Sequence, residues 1–391
     1  MPTPLSWDIF CRVVDNYGDA AVCWRLAREL AQEHGGAVRL WIDRPETLRA
    51  LRPDMRAGSA PQALDGVELR HWDVGAAAVV AIPADVVVQA FGGGLPDPYV
   101  QAAALRGTLW VVLEYLSAEP WVASHHGLPS PHPSRPIKRY FFFPGFTPDT
   151  GGVLREAGLL EKRDAFRADP ARLAAFWAGL GFGPPAPDAA VVSLFGYAGA
   201  PVTELLRAWS EGDAPMVVAL TASPPAEEAA RWLGIAAATP GLSVTRGALE
   251  LRFLPFLPQP AYDELLWACD WNFVRGEDSL VRAQWAGRPL VWQAYPQAEA
   301  AHAAKVEAFL GSYTLALPEA MAAPLLRLWR FWNGSVPAAN VDVGREWAAL
   351  AAGQAAWRAH GAGWEARLLE AGELADKLAR FCAAHRVVPP A

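Results

Sequence analysis

At 391 residues the chain is long enough for two domains, each with its own core. With 52% hydrophobic and 19% charged residues it is not a disordered chain, and a net charge of −7 gives no footing for nonspecific nucleic-acid binding. Cys11, Cys23, Cys269 and Cys382 form no CxxC pair, the N-terminus carries no basic stretch with an apolar one behind it, and no apolar run reaches membrane-spanning length, so the expectation is a cytoplasmic protein with no zinc cluster, no membrane and no nucleic-acid partner.

In chain order, residues 8–14 form an apolar run that reads as a buried strand. A polar turn with Gly18 follows, and residues 20–33 then read as a helix with apolar positions at Val22, Leu26, Leu30 and Ala31. Strand, glycine turn and helix are the opening unit of a doubly wound α/β domain, in which ligands sit at strand ends. Asp15 and Asp19 flank this turn. Asp19 stands where an N-cap would stand, so plain capping competes with chemistry as its reason for being there.

Residues 37–43 predict a second strand, and Pro45 opens a short helix through Leu51. Further strands are expected at 67–72, at 84–91 with Gly92-Gly93-Gly94 at its end, and at 108–113, ending in Glu114-Tyr115. From 117 to 152 Pro, His, Gly and aromatic residues crowd together, which predicts a long functional loop. His125, His126 and His132 show no regular ligand spacing, so no metal is expected there. A helix at 173–180 precedes the Gly- and Pro-rich stretch 181–187, the clearest linker in the sequence.

A second α/β series follows, with strands at 189–195, 216–220, 249–256, 271–274 and 289–293 and helices at 201–209 and 280–285. Residues from 299 onward read as mostly helical, with a terminal helix near 365–384. Expected domain limits are 1–180, 188–355 and a helical tail, 356–391, packing back toward the first domain.

Three strand-end loops of the second half carry chemistry. Arg275-Gly-Glu-Asp-Ser279 sits at a strand-turn-helix junction, where free backbone amides and the helix dipole bind anions. Ser279 offers a hydroxyl and Arg275 a charge to a phosphate, whereas Glu277 and Asp278 suit either capping or a hydroxylated or cationic substrate. Phe195-Gly-Tyr197 offers an aromatic face and a phenol. Phe256-Leu-Pro-Gln259 offers an aromatic and an amide, suited to stacking on a base and pairing with its edge. There is no Walker lysine and no GxGxxG fingerprint. Each aromatic taken singly is more simply core, but three such loops together favour a nucleotide site.

Two α/β halves with this division of residues have the layout of a two-Rossmann glycosyltransferase. Five segments also resemble one family of them: Phe10–Asp19, Leu113–Trp121, Leu128–His132, Phe142–Phe146, and Arg275–Ser279 with Gln284–Pro289. That family is EarP, bacterial protein-arginine rhamnosyltransferases acting on elongation factor P, and the resemblance spans most of the chain. It implies a GT-B fold, two Rossmann-like domains facing across a cleft. It also implies dTDP-β-L-rhamnose as donor, elongation factor P as protein acceptor, and an inverting, metal-independent transfer with no cofactor. By position, Asp15 and Asp19 match the family's essential aspartates, and Phe195, Tyr197, Phe256, Gln259, Glu277, Asp278 and Ser279 match its donor loops. Asp19, Asp15 and Glu277 are the expected catalytic groups, Arg275 a further donor contact, and Asn16, Tyr17 and Glu114 the expected acceptor contacts. Gly92-Gly-Gly94 departs from the family, where a Cys-Glu pair is common. The competing expectations are a related enzyme with another nucleotide sugar or acceptor, and a non-catalytic binding module that kept the fold.

Overall fold

The computed structural model describes residues 4–58, 60–73, 82–296 and 302–386. The chain divides into two compact units, Met1–Ala157 together with Arg367–Ala391, and Gly158–Ala366. The Gly- and Pro-rich stretch 181–187 lies inside the second of these, with the Gly183 carbonyl accepting from Arg252 Nη1 at 2.7 Å.

The first unit is built on an eight-stranded sheet in the order β3-β4-β2-β1-β5-β6-β8-β7. Its strands are β1 (Ser6–Cys11), β2 (Ala37–Ile42), β3 (Gln62–Leu64), β4 (Val67–His71), β5 (Val86–Ala90), β6 (Leu109–Leu113), β7 (Pro129–Pro131) and β8 (Lys138–Phe142). All pairs are parallel except those of β3 and β7, the short edge strands. The run Val86-Val-Val-Gln-Ala90 is buried throughout, as a parallel strand covered on both faces must be. From β1 the chain steps to one side through β2 and β4, then returns to the other side at β5. The ends of β1 and β5 therefore form a topological switch point, where open α/β sheets bind ligands.

Asp8, in mid-strand, is fully buried yet completely answered. Arg39 donates to both of its oxygens at 2.6 Å, Tyr99 to one at 2.6 Å and Trp41 Nε1 to the other at 2.8 Å. Around this network pack Phe10, Trp72, Val87 and Trp110. A buried charge with every lone pair engaged fixes one arrangement of these strands, whereas a half-answered one would be costly.

The C-terminal segment completes this unit. The helix Leu374–His385 packs on the helix Gly18–Gln32, and Lys377 Nζ donates to the carbonyls of Pro148 at 2.7 Å and Thr150 at 2.6 Å. The single helix expected over 365–384 is broken: Gly372 turns the chain at φ 89, and the Glu373 carboxylate caps the next helix through the amides of Ala375 and Asp376. The expected loop over 117–152 contains β7 and β8, which extend the sheet. The surrounding Pro and His residues mask the short strand Lys138–Phe142, whose three aromatics are consecutive and show no alternation.

The second unit has a six-stranded sheet, β11-β12-β10-β9-β13-β14, parallel except for β11. Its strands are β9 (Ala190–Leu194), β10 (Met216–Leu220), β11 (Ser243–Arg246), β12 (Leu249–Phe253), β13 (Trp271–Arg275) and β14 (Leu290–Gln293). The same switch recurs between β9 and β13. Residues 299–301 of the expected helical region lie outside the described residues; from His302 the chain is mostly helical, as the sequence suggests.

Candidate active site

In the first unit, β1 ends at Cys11 and the helix starts at Gly18, with Tyr17, not Asp19, at the N-cap position. Asp19 lies in the first turn and points back. Its Oδ2 accepts the amides of Val14 at 2.7 Å and Asp15 at 2.9 Å, and its Oδ1 accepts the Tyr115 hydroxyl at 3.2 Å. The carboxylate ties down the preceding turn instead of capping its own helix, which corrects the expected N-cap setting.

The electrostatics change with it. Burial pushes the Asp19 carboxyl above the usual carboxylate range, and the Asp15 and Val14 amides and the Tyr115 hydroxyl only partly oppose this. An N-cap would have favoured the charged form; this setting makes a stronger base. Asp15 is also buried, its Oδ2 so close to Gly18 that a Cβ there would come within 2.9 Å. Between the two carboxylates the turn bends sharply: Asn16 takes a left-handed φ of 38 and is exposed, and Tyr17 is exposed beside it.

Two residues that support this turn escaped the sequence reading. Asp43, at the end of β2, accepts the Val13 amide at 2.9 Å. Tyr115, just past β6, holds Asp19 and stacks on Phe91 at 4.5 Å between centroids. Both stand at strand ends that were visible in the sequence, but nothing there says which way they point. Glu114 is half-buried beside Tyr115, its amide bonded to the Phe142 carbonyl at 3.0 Å. Asp15, Asn16, Tyr17, Asp19 and Glu114 therefore follow two strands of one sheet, β1 and β6, that flank β5.

The second unit gathers its candidates the same way. Arg275 ends β13, and its guanidinium lies 4.4 Å from the ring centroids of both Phe195 and Tyr197, which follow β9. The Tyr197 amide donates to Gln293 Oε1 at 2.7 Å, fixing that loop to the end of β14. Gly276, at φ 66, lets the chain turn directly into the helix Gly276–Trp285, whose first turn carries Glu277, Asp278 and Ser279. Asp278 and Ser279 are buried and Glu277 half-buried. The first amides of such a helix have no partner within it. A buried, two-pronged ion pair, Arg282 with Asp263 at 2.9 and 2.7 Å, locks it against the helix Gln259–Ala268. Gln259 opens that second helix and is buried, whereas Phe256, in the loop before it, is 38% exposed. This is an aromatic platform beside an amide-rich helix start, a combination suited to a base and its phosphates.

Among the described residues no group of three or more His, Cys, Asp or Glu side chains is arranged to hold a metal ion. His126, one of the loop histidines, is driven down to about 4 mainly by burial, and its Nδ1 accepts the Phe143 amide at 3.1 Å. No helix of the described residues is long and apolar enough to cross a membrane.

Residues 7–383 match the family model of Elongation-Factor P (EF-P) rhamnosyltransferase EarP. The chain is 45% identical over 378 residues to the protein-arginine rhamnosyltransferase of Pseudomonas putida strain KT2440, covering 96% of this chain and 98% of that one. A solved structure described as "Structural basis for EarP-mediated arginine glycosylation of translation elongation factor EF-P" is similar at 34% identity and a TM-score of 0.68, covering 97% of this chain and 99% of that one. The MurG structure of Acinetobacter baumannii, at 13% identity and a TM-score of 0.51 over 97% of this chain and 99% of that one, shares the fold. The architecture is the GT-B glycosyltransferase fold.

Proposed function

The chain belongs to the EarP family, and we propose that it moves L-rhamnose from dTDP-β-L-rhamnose to one arginine side chain of elongation factor P, inverting the sugar carbon. The observation that carries this reading is the Asp19 carboxylate, buried, raised in pKa and aimed at the end of a parallel sheet. Arginine is protonated in proteins, so its nitrogen is a poor nucleophile until a carboxylate orients it and removes a proton.

In the proposed step an arginine Nη attacks the anomeric carbon, that carbon's bond to the diphosphate oxygen breaks, and the proton leaves to Asp19. Asp15 aligns the guanidinium beside it, with Asn16, Tyr17 and Glu114 as further acceptor contacts. On the donor side Phe256 stacks on the thymine and Gln259 reads its edge. The departing diphosphate is met by the first amides of the helix Gly276–Trp285 and by Ser279. Arg275 holds the Phe195 and Tyr197 loop against this helix start and adds positive charge. Glu277 acts as a further catalytic group, and Asp278 engages the donor sugar. The transfer proceeds without a metal or other cofactor, in the cytoplasm, with no membrane or nucleic acid involved.

The test is to incubate the protein with elongation factor P and dTDP-rhamnose and read the acceptor's intact mass. A gain of one deoxyhexose, mapped by fragmentation to an arginine, is the expected result. An unmodified acceptor, or a sugar on another residue, would sink the reading.

A further inference from the structure

We propose that the second unit has an additional binding site for a phosphate group, in a cavity at the N-terminal ends of its strands between Arg288 and Arg358. The cavity measures 530 Å³ and is bordered by strand-entry residues Ala190, Pro215, Trp271 and Pro289. The donor loops described above leave the opposite ends of the same strands. Five residues of β9 separate the two sites by about 16 Å, so neither is an extension of the other.

The argument begins with the two guanidiniums that line this cavity. Arg288 is half-buried, and its buried Nε has no hydrogen-bond partner. Among the described residues neither Arg288 nor the exposed Arg358 is joined to any carboxylate by an ion pair. Two acids, Asp188 and Asp270, share the lining; neither forms an ion pair with Arg288 or Arg358 among the described residues, and Asp270 Oδ2 accepts the Val191 amide at 3.0 Å. Behind Arg288 the charge is again positive. Arg167 donates to the carbonyls of Trp267 at 3.1 Å and Ala286 at 2.5 Å, so it is bonded to dipoles and not to an anion. Arg167 is pulled down to about 9, chiefly by burial and then by the positive charges of Arg288 and Arg163. Asp164 and Glu365, which act on it in the opposite sense, are both paired with Arg163. An anion beside the accessible part of the Arg288 guanidinium would relieve this repulsion.

The rest of the cavity says what the anion is attached to. Trp271 packs at a tilt on Trp347 at 4.9 Å and edge-on to Trp357 at 5.0 Å, so three largely buried indoles border the cavity. The Trp357 Nε1 donates to the Leu350 carbonyl at 3.0 Å, which leaves the indole no free polar group. Forked guanidiniums match the tetrahedral oxygens of phosphate in pairs. The apolar indole border beside them admits a phosphate carried on an organic group as well as inorganic phosphate.

The two sources are separated by titrating the full-length protein, its donor loops first saturated with dTDP, with inorganic phosphate and with adenosine monophosphate. Thermal midpoint and tryptophan emission are read, with sodium chloride at matched ionic strength as the control. Both ligands should raise the midpoint where chloride does not. Tighter binding of the nucleotide, with quenched emission, marks a nucleoside phosphate as the natural occupant; equal binding marks the free ion. Arg288→Gln and Arg358→Gln should each weaken binding about tenfold or more, Arg288→Lys should retain part of it, and Ser279→Ala should leave it unchanged. Arg358 is exposed, so its variant tests the site even where Arg288→Gln disturbs the fold. Equal midpoint shifts in wild type and Arg358→Gln, a shift reproduced by chloride, or a shift abolished by Ser279→Ala would overturn the proposal.

Discussion

The two sheets present their strand ends in opposite ways. At β1 the working groups are carboxylates, sunk into the protein and wired to its backbone: Asp19 holds two amides and a hydroxyl, and Asp43 holds a third amide. At β9, β12 and β13 the groups are an exposed ring, a helix start and a cation held between two aromatic faces. The first arrangement fixes a charge and raises its basicity by burial. The second leaves a platform on which a ligand can lie. Proton transfer needs the former and nucleotide binding the latter, so substitutions at the two sites should damage different kinetic constants.

The largest effect is expected from Asp19→Asn. The amide oxygen can still accept the Val14 and Asp15 amides, so the turn should survive while the base is lost. We expect kcat to fall about 10²- to 10⁴-fold, the usual worth of a positioned base. Calorimetric affinity for dTDP should be unchanged. The carboxyl's raised pKa also sets a sign for stability: its contribution is complete below the unfolded-state pKa and is lost as pH rises through the folded one. The neutral asparagine should therefore melt no lower than wild type at neutral pH. A large loss of dTDP affinity would move Asp19 out of the acceptor role.

Phe256→Ala and Ser279→Ala should do the reverse. Losing a base stack costs about 1–3 kcal/mol and losing a hydrogen bond to a charged phosphate about 1.5–3 kcal/mol, so dTDP affinity should fall roughly 5- to 150-fold. The pH profile of kcat should keep its shape. Unchanged affinity in both variants would place the nucleotide elsewhere.

Much of this contrast was legible in the sequence, and the limits of that reading are physical. Alternating strand and helix signals located both sheets, because parallel strands such as Val86–Ala90 are apolar on both faces. They also placed Asp15, Asp19 and the Arg275–Ser279 turn at strand ends. The direction of a side chain was out of reach. Asp19 has the spacing of a cap but reaches backward, and this reversal turns an expected weak base into a stronger one. Asp43 and Tyr115 were visible as strand-end residues, yet their bonds run to residues 30 and 96 positions away. The strand Lys138–Phe142 was hidden because it lies one place in from the sheet's edge, between β6 and the short β7, and is only half-buried, so its apolar pattern is weak.

A smaller effect should come from Gly18→Ala. Its Cβ would lie 2.9 Å from Asp15 Oδ2, so the Asp15 carboxylate must move while the helix itself is unaffected. Displacements of this size at a positioned group cost up to about 10²-fold, and we expect a loss of about tenfold in kcat with dTDP binding intact. Wild-type activity in this variant would show that the position of Asp15 is not critical.

The smallest effect, and the sharpest for mechanism, concerns Tyr115→Phe. The phenyl ring would keep the stack on Phe91, so the end of β6 should hold its shape. The hydroxyl bond to Asp19 Oδ1 is removed, and that bond opposes the upward push of burial. Without it the Asp19 carboxyl should rise further. If Asp19 takes the arginine proton, kcat/KM climbs with pH as this group deprotonates, and the climb should move to higher pH in the variant. Below the plateau the rate should drop a few-fold; on the plateau it should match or exceed wild type, because the stronger base is now fully ionised. A purely structural role for Tyr115 would instead lower the rate equally at every pH. An unmoved limb with an unmoved plateau would mean that the group titrating in the rate is not Asp19.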